Sequence, residues 1–375
     1  MKIMVVHLNN INLCPPAISL VENLIEQKHE VMIIAYNIDE LKSNIIMSNN
    51  IHMYNLGKYI TPTCNIRKYV LRMKDRIHVR KYIKKNVSKC DVIWTTSEIT
   101  VREIGKILLK TNKKHIMQLM ELTDFVPLFG GYRCFKFKIE KYAQAAYKVV
   151  VPEINRAHIV KVKWNLKYLP EVLPNKPYTH IVNKQELSQK ANEIISYLKC
   201  EKRKVILYQG GFTKDRKFEQ FIKAMNSIGD QYVLCLMGKD NDYRKEICKS
   251  NPTIEYLGFL NPPEHLIIAQ YAHIGILTYF PVRDGFYSDL NAVFCAPNKT
   301  FEYALCQLPM IGTNVPGLSA IFEKFNVGCC IKQDNAEAVI EAIQYIEENY
   351  QEMKNNCIRY FESVDLVELV KKILE

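Results

Sequence analysis

The chain reads as an α/β protein of two Rossmann-like domains with parallel sheets. Three observations say so. Apolar runs of strand length alternate with helix-forming segments along the whole chain. A Pro-marked stretch near the middle interrupts the alternation, and 375 residues exceed what one ordinary core fills. In the first series, strands are predicted near 2–8, 30–36, 90–95, 114–120 and 147–152. The run LPEVLPNKPYTH, Leu169 to His180, then breaks the pattern, and a polar helical segment, Lys184 to Lys199, leads into a new strand at Lys204. A second series follows, with strands near 204–209, 232–237, 253–257, 273–278, 309–312 and 328–331. Domains are therefore expected at 1–180 and 200–350, with one last helical segment over 351–375.

Composition narrows the class. Apolar content of 48% against 24% charged is ordinary for a globular protein, and no apolar run is long enough to span a bilayer. MKIMVVHL reads as a strand and not as a signal peptide, having one Lys and no cleavage-site pattern. Twelve Cys without a C-x-x-C pair or metal-ligand spacing point to reduced thiols in a cytoplasm. The net charge of +12 is concentrated in residues 58–89, where eleven Lys or Arg face the single acid Asp75. Ile66, Val70, Met73, Ile77, Ile83 and Val87 supply an apolar stripe, so this segment reads as a basic amphipathic helix suited to an anionic membrane surface. A solvated helix face is the plain alternative, and nucleic acid, which is not expected, is a third. The run YRCFKFKIEKY, Tyr132 to Tyr142, would extend the same surface.

The most informative stretch is Ala296 to Leu318, APNKTFEYALCQLPMIGTNVPGL, read as helix, turn, buried strand and loop. Asn298 is the expected N-cap, Phe301, Leu305 and Leu308 recur at helical spacing, and Lys299 and Glu302 share the face away from them. A helix starting at the carboxyl end of a strand offers free N–H groups and a positive dipole end to an anion, and Lys299 adds a full charge. Glu302 is placed to accept from sugar hydroxyls. The competing reading is a surface ion pair three residues apart, worth a few tenths of a kcal/mol. Upstream, strand VILYQ runs into Gly210, Gly211, Phe212, Thr213, Lys214, Asp215 and Arg216, the first strand-to-helix turn of the second series. Paired glycines let a diphosphate approach the backbone, and Arg216 has forked donors that match phosphate oxygens. The alternative is a tight turn with a surface Arg.

Ala296 to Leu318 resembles the donor-binding signature of retaining glycosyltransferases of family 4. The resemblance continues, in order, through PEINRAHI (152–159), EVLPNKP (171–177), LYQGGFTKDRKFEQFIKAM (207–225), LCLMGK (234–239) and IEYLGFL (254–260), covering the C-terminal half well and the N-terminal half loosely. It implies the GT-B fold, two Rossmann-like domains facing across a cleft, the first acceptor-side and the second binding a nucleotide sugar, with the last helix crossing back to the first. It implies that Glu302 holds the ribose, and that Arg216 and Lys299 stabilise the departing diphosphate. Gly210, Gly211, Gly258, Phe259, Asn291, Phe294, Pro297, Asn298 and Thr300 would line the donor, with Gly258 and Phe259 beside the base. Two departures stand out. Gly211 occupies a place where the family usually has Arg, for which Lys214 or Lys299 would substitute. Phe294 lies eight positions before Glu302, where the family has a first Glu, and backbone groups of 294–296 would take over its work.

In the first domain the loop Asn9 to Pro16 reads as acceptor-side. DVIWTTSE carries Thr95, Thr96 and Ser97 where the family often has His, so Glu121 is the candidate to orient or deprotonate the acceptor hydroxyl, with Asp124 and Glu153 behind it. Helix-cap or loop acids are the plain reading of all three. Asp284 and Asp289 are loop acids, and His7, His115 and His273 read as core or strand-end histidines. No cluster of Asp, Glu or His at metal-ligand spacing is read in the sequence, and no cofactor or metal is expected beyond the donor, a UDP-sugar or GDP-sugar. The implied activity is retaining transfer of a sugar to a hydroxyl of a lipid-linked or other glycan acceptor, in bacterial surface polysaccharide assembly, on the inner face of the membrane. A hinge is expected near 174–203. A nucleotide-sugar epimerase of the same fold and a non-catalytic basic binding protein are the rivals.

Overall fold

The computed structural model describes residues 1–41, 48–60, 66–128, 136–178, 187–213, 215–251, 254–282 and 287–375, with backbone alone at 40, 66–73 and 250. Lys214, Asp284, residues 61–65, residues 132–135 and residues 179–186 of the expected hinge lie outside the described residues. The chain forms two compact units: Met1–Thr179 with Arg283–Asn291 and Asp365–Glu375, and His180–Val282 with Ala292–Val364.

The first unit carries a seven-stranded parallel sheet built from β1 (Lys2–Asn10), β2 (Glu30–Tyr36), β3 (Ile51–Asn55), β4 (Val92–Thr96), β5 (Lys114–Gln118), β8 (Lys148–Val151) and β9 (Glu171–Val172), in the order β3-β2-β1-β4-β5-β8-β9. A two-stranded antiparallel pair, β6 (Val126–Pro127) with β7 (Lys136–Phe137), stands apart from it. The second unit carries β10 (Lys204–Gln209), β11 (Tyr232–Met237), β12 (Ile254–Gly258), β13 (Ile274–Leu277), β14 (Met310–Thr313) and β15 (Gly328–Ile331), in the order β12-β11-β10-β13-β14-β15. Both sheets are parallel and apolar because helices cover both faces. Strand β10 shows this directly: Val205 and Leu207 pack into one core, Ile206 and Tyr208 into another on the opposite face. In each sheet the strand order reverses beside the first strand, between β1 and β4 and between β10 and β13. There the outgoing loops part, and open α/β sheets bind ligands at such points.

Several expectations need correction. The predicted last helix is two, Tyr350–Glu362 and Leu366–Leu374, with Asp365 capping the second through Val367 and Glu368 N–H. The first belongs to the second unit, and only Asp365–Glu375 to the first. The segment expected at 184–199 is helical over Gln189–Cys200, capped by Ser188. In the basic helix, Ile66–Asn86, the buried side chains among the described residues 74–86 are Val79, Ile83 and Asn86, while Ile77, assigned to the apolar stripe, is 48% exposed. Of the run 132–142, Tyr142 and Ile139 are core residues and Phe137 stacks on Tyr142 at 5.0 Å.

Candidate functional site

The carboxyl edge of the second sheet is a row of glycine turns. Gly210 N–H donates to Met237 O (2.9 Å) and Gly238 N–H to Gly258 O (2.9 Å), stepping across the ends of β10, β11 and β12. A side chain at Gly238 would stand 2.0 Å from Gly210 O, so this close approach requires glycine. Gly258 adopts φ +83, and the Lys239 ammonium sits over the Phe259 ring at 5.1 Å. Across the reversal point, the Arg216 guanidinium lies 3.7 Å over the Tyr279 ring just past β13 and pairs with Asp215. It thus joins the turn after β10 to the loop after β13, with 19% of its side chain exposed.

The helix Asn298–Leu305 has Pro297 as its extended N-cap, with no side-chain cap. Asn298 is therefore its first helical residue and not the cap expected from its residue type. Thr300, 1% exposed, donates to Pro297 O and accepts from Tyr360, a structural use of its hydroxyl. Tyr303 is fully buried, its hydroxyl accepting from Gln209 N–H at 3.1 Å, its ring lying where a side chain on Gly275 would be. Phe294 is half-buried, and a side chain at Gly317 would stand 2.5 Å from Cys295 O, so the 294–295 backbone is packed tightly.

Glu302 is the central charge. Only 2% of its side chain is exposed, unlike the surface ion pair of the competing reading. Lys299 pairs with its Oε2, and His265 Nε2 meets the same oxygen at 3.2 Å. Burial alone would raise the Glu302 pKa, but Lys299 and then His265 outweigh it and hold it down at about 2. Burial, helped by Lys299, lowers the pKa of His265, so the ring is neutral near pH 7. Glu302 being acceptor-only, the shared hydrogen is on Nε2, a tautomer assigned from the network. The backbone carbonyl of His265 accepts from the Gln209 side-chain amide at 2.8 Å, which ties β10 to the start of helix His265–Ala269.

In the first unit the corresponding edge gathers acids. Glu121 Oε2 accepts from Asn291 Nδ2 at 2.8 Å and faces Arg156 Nη1 at 3.8 Å. Asn291 Oδ1 accepts from Leu122 N–H at 2.8 Å, and the buried Arg156 donates to Met120 O and Asn291 O, both at 3.0 Å. Asn291 thus belongs to the first unit and not to the second domain, 200–350, in which the sequence set it, and its amide is engaged beside Glu121. Glu153 caps helix Ile154–Lys163 through Asn155 and Arg156 N–H, and Asp124 faces Lys163 at 3.8 Å. His7 and His115 bond to Thr96 and Thr95 hydroxyls, and His273 to Glu347. Glu98, which sequence reasoning passed over, is 5% exposed and accepts from Glu121 N–H at 3.3 Å. Burial above all raises its pKa to about 7. Its position straight after β4 was a readable signal. For His265 and Gln209 only the strand order supplies one.

Residues 189–364 match the family described as glycosyl transferases group 1. The matched segment holds the glycine edge, Arg216, His265, Lys299 and Glu302. No curated protein matches the chain in sequence. Solved structures share its fold. Sucrose-phosphate synthase from Thermosynechococcus elongatus superposes with a TM-score of 0.70 at 14% identity, covering 100% of this chain and 98% of its own. Anabaena HepE in complex with UDP and glucose gives 0.65 at 12%, with the same coverage. WaaG, a glycosyltransferase involved in lipopolysaccharide biosynthesis, gives 0.63 at 11%, covering 99% of this chain and 98% of its own. The two parallel sheets are those of the GT-B fold.

Proposed function

We propose that the protein transfers a glycosyl group, with anomeric retention, from a nucleoside diphosphate sugar to a hydroxyl of a lipid-linked glycan acceptor. The observation that carries this reading is Glu302. Both of its protein donors sit on Oε2, and among the described residues none reaches Oε1. An ionised carboxylate with one oxygen open, on the helix behind a glycine-lined sheet edge, suits a vicinal diol such as ribose. Arg216, Lys299 and the N-terminus of helix Asn298–Leu305 would take up charge growing on the leaving diphosphate, each such preorganised donor being worth a few kcal/mol. Glu121, 45% exposed beside Asn291 and Arg156, would orient the acceptor hydroxyl.

The basic helix supports work at an anionic membrane. Lys74, Ile77, Lys81 and Lys84 recur at helical spacing and all are exposed, an apolar side chain set among cations. Among the described residues no helix is long and apolar enough to cross a membrane. Peripheral attachment to the inner face of a bacterial membrane, in surface polysaccharide assembly, follows as part of the same proposal.

A thermal-shift and calorimetric screen against UDP, GDP, CMP and their sugar conjugates tests the reading. Ligand at a hundredfold its Kd should add about 2.7 kcal/mol of stability. Glu302→Gln should weaken binding by roughly ten- to hundredfold, the worth of a charged hydrogen bond. No shift with any nucleotide would overturn the donor site.

A further inference from the structure

We propose that His265 is a positioning residue for the nucleotide ribose, keeping one oxygen of Glu302 available to it. The inference rests on the reading of Glu302 as the ribose-binding carboxylate and names a residue outside the helix that bears it. Lys299 is three residues from Glu302 on one helix, and its long side chain has the reach to sit across both carboxylate oxygens. Left alone with a buried carboxylate, an ammonium would do so, because it carries three donors and the carboxylate accepts two-fold. His265 stands against that arrangement. Its Nε2 donates to Oε2 at 3.2 Å, the oxygen that Lys299 also holds. The two donors converge on one side of the carboxylate and fix its plane.

The backbone that carries the ring is itself held. The Gln209 amide grips the His265 carbonyl at 2.8 Å, and Gln209 N–H donates to the Tyr303 hydroxyl at 3.1 Å, one residue along the helix from Glu302. The last residue of β10, immediately before Gly210, thereby sets both the histidine and the glutamate. A neutral imidazole serves better than a second cation would, since it donates a hydrogen bond without further cancelling the charge that a ribose diol would meet. Nδ1 is buried with no partner among the described residues, so it does not turn the ring toward another group.

Calorimetric binding of UDP and GDP, with their 2′-deoxy and 3′-deoxy forms, tests this on wild type, His265→Leu, His265→Gln and Glu302→Gln. For whichever ribonucleotide binds, His265→Leu should raise Kd about tenfold and shrink the preference for ribose over deoxyribose. His265→Gln, which restores a donor, should recover most of both. The His265→Leu effect should vanish in the Glu302→Gln background, and in turnover KM for the donor should rise more than kcat falls. Wild-type affinity in His265→Leu overturns the inference while leaving the donor site standing. So does an equal loss of ribo- and deoxyribonucleotide binding, which would mark a merely structural histidine. A wild type that binds none of the nucleotides overturns both.

Discussion

Glu98→Gln should remove a pH dependence from the stability of the first unit. Glu98 is 5% exposed at the start of helix Glu98–Leu108, capped by Ser97. Burial is the main force on it, and the Glu121 carboxylate adds to burial. Its own N–H, that of Glu121 and the Arg156 guanidinium oppose it. Cys14, whose thiol burial pushes up to about 12, also feels Glu98, but it stays neutral throughout the range of interest. The net result is a pKa of about 7 against an ordinary 4.5. At 1.36 kcal/mol for each tenfold, that difference amounts to about 3 kcal/mol. The folded state holds this proton more tightly than the unfolded chain. The contribution is therefore full below pH 4.5, declines as pH rises through about 7, and is gone above it. Gln keeps the oxygen that accepts from Glu121 N–H and has no proton to lose. Urea unfolding followed by tryptophan fluorescence suits the test, since Trp94 and Trp164 are both buried in the first unit. The stability of Glu98→Gln minus that of wild type should grow by about 3 kcal/mol between pH 4.5 and pH 8. A difference that stays constant across that range would refute the reasoning.

Two further predictions concern packing. Gly275→Ala would place a methyl 2.5 Å from the Tyr303 ring; overpacking of this kind should cost about 1–3 kcal/mol and weaken nucleotide binding by moving the helix that carries Glu302, both measurable by melting and titration. Truncation after Val364 removes Leu366, Val370, Ile373 and Leu374, all buried. At about 1.5–3 kcal/mol each, their loss rivals the whole stability of a domain, so tryptophan emission should shift to that of unfolded chain and the product should be insoluble.

Strand assignment from apolar runs worked where strands lie inside a sheet. Strands β10 and β11 occupy the residues expected, because both are buried on two faces and read as unbroken apolar stretches. Strand β3 went unread because it lies at the sheet edge with His52 and Met53 exposed. Strand β9 is two residues long within the Pro-marked stretch, too short for any period to register. The site divides in the same way. Lys299 and Glu302 are neighbours on one helix turn, so their pairing was legible. Their burial was not, because helix His265–Ala269 covers that face and nothing near residue 302 announces it. His265 is 37 residues from Glu302, and Gln209 is 56 from His265. Such contacts exist only once the strand order is known.

The two sheet edges handle a buried carboxylate in opposite ways, and the difference lies in what stands within hydrogen-bond reach. Glu302 has an ammonium and a neutral imidazole on one oxygen, so its charge survives desolvation and its pKa falls to about 2. Glu98 has backbone N–H groups for partners, a second carboxylate nearby and Arg156 as a lesser influence, so desolvation prevails and its pKa climbs to about 7. An acid kept ionised at every physiological pH is suited to accepting from hydroxyls that are never deprotonated, as a ribose requires. An acid poised near neutrality beside Glu121 instead makes the charge of that edge depend on its surroundings. Closing the edge to water would favour the proton on Glu98, and bringing a cation near would release it. Residue type alone would assign both glutamates the same state; their neighbours on the strand order separate them by about five pH units.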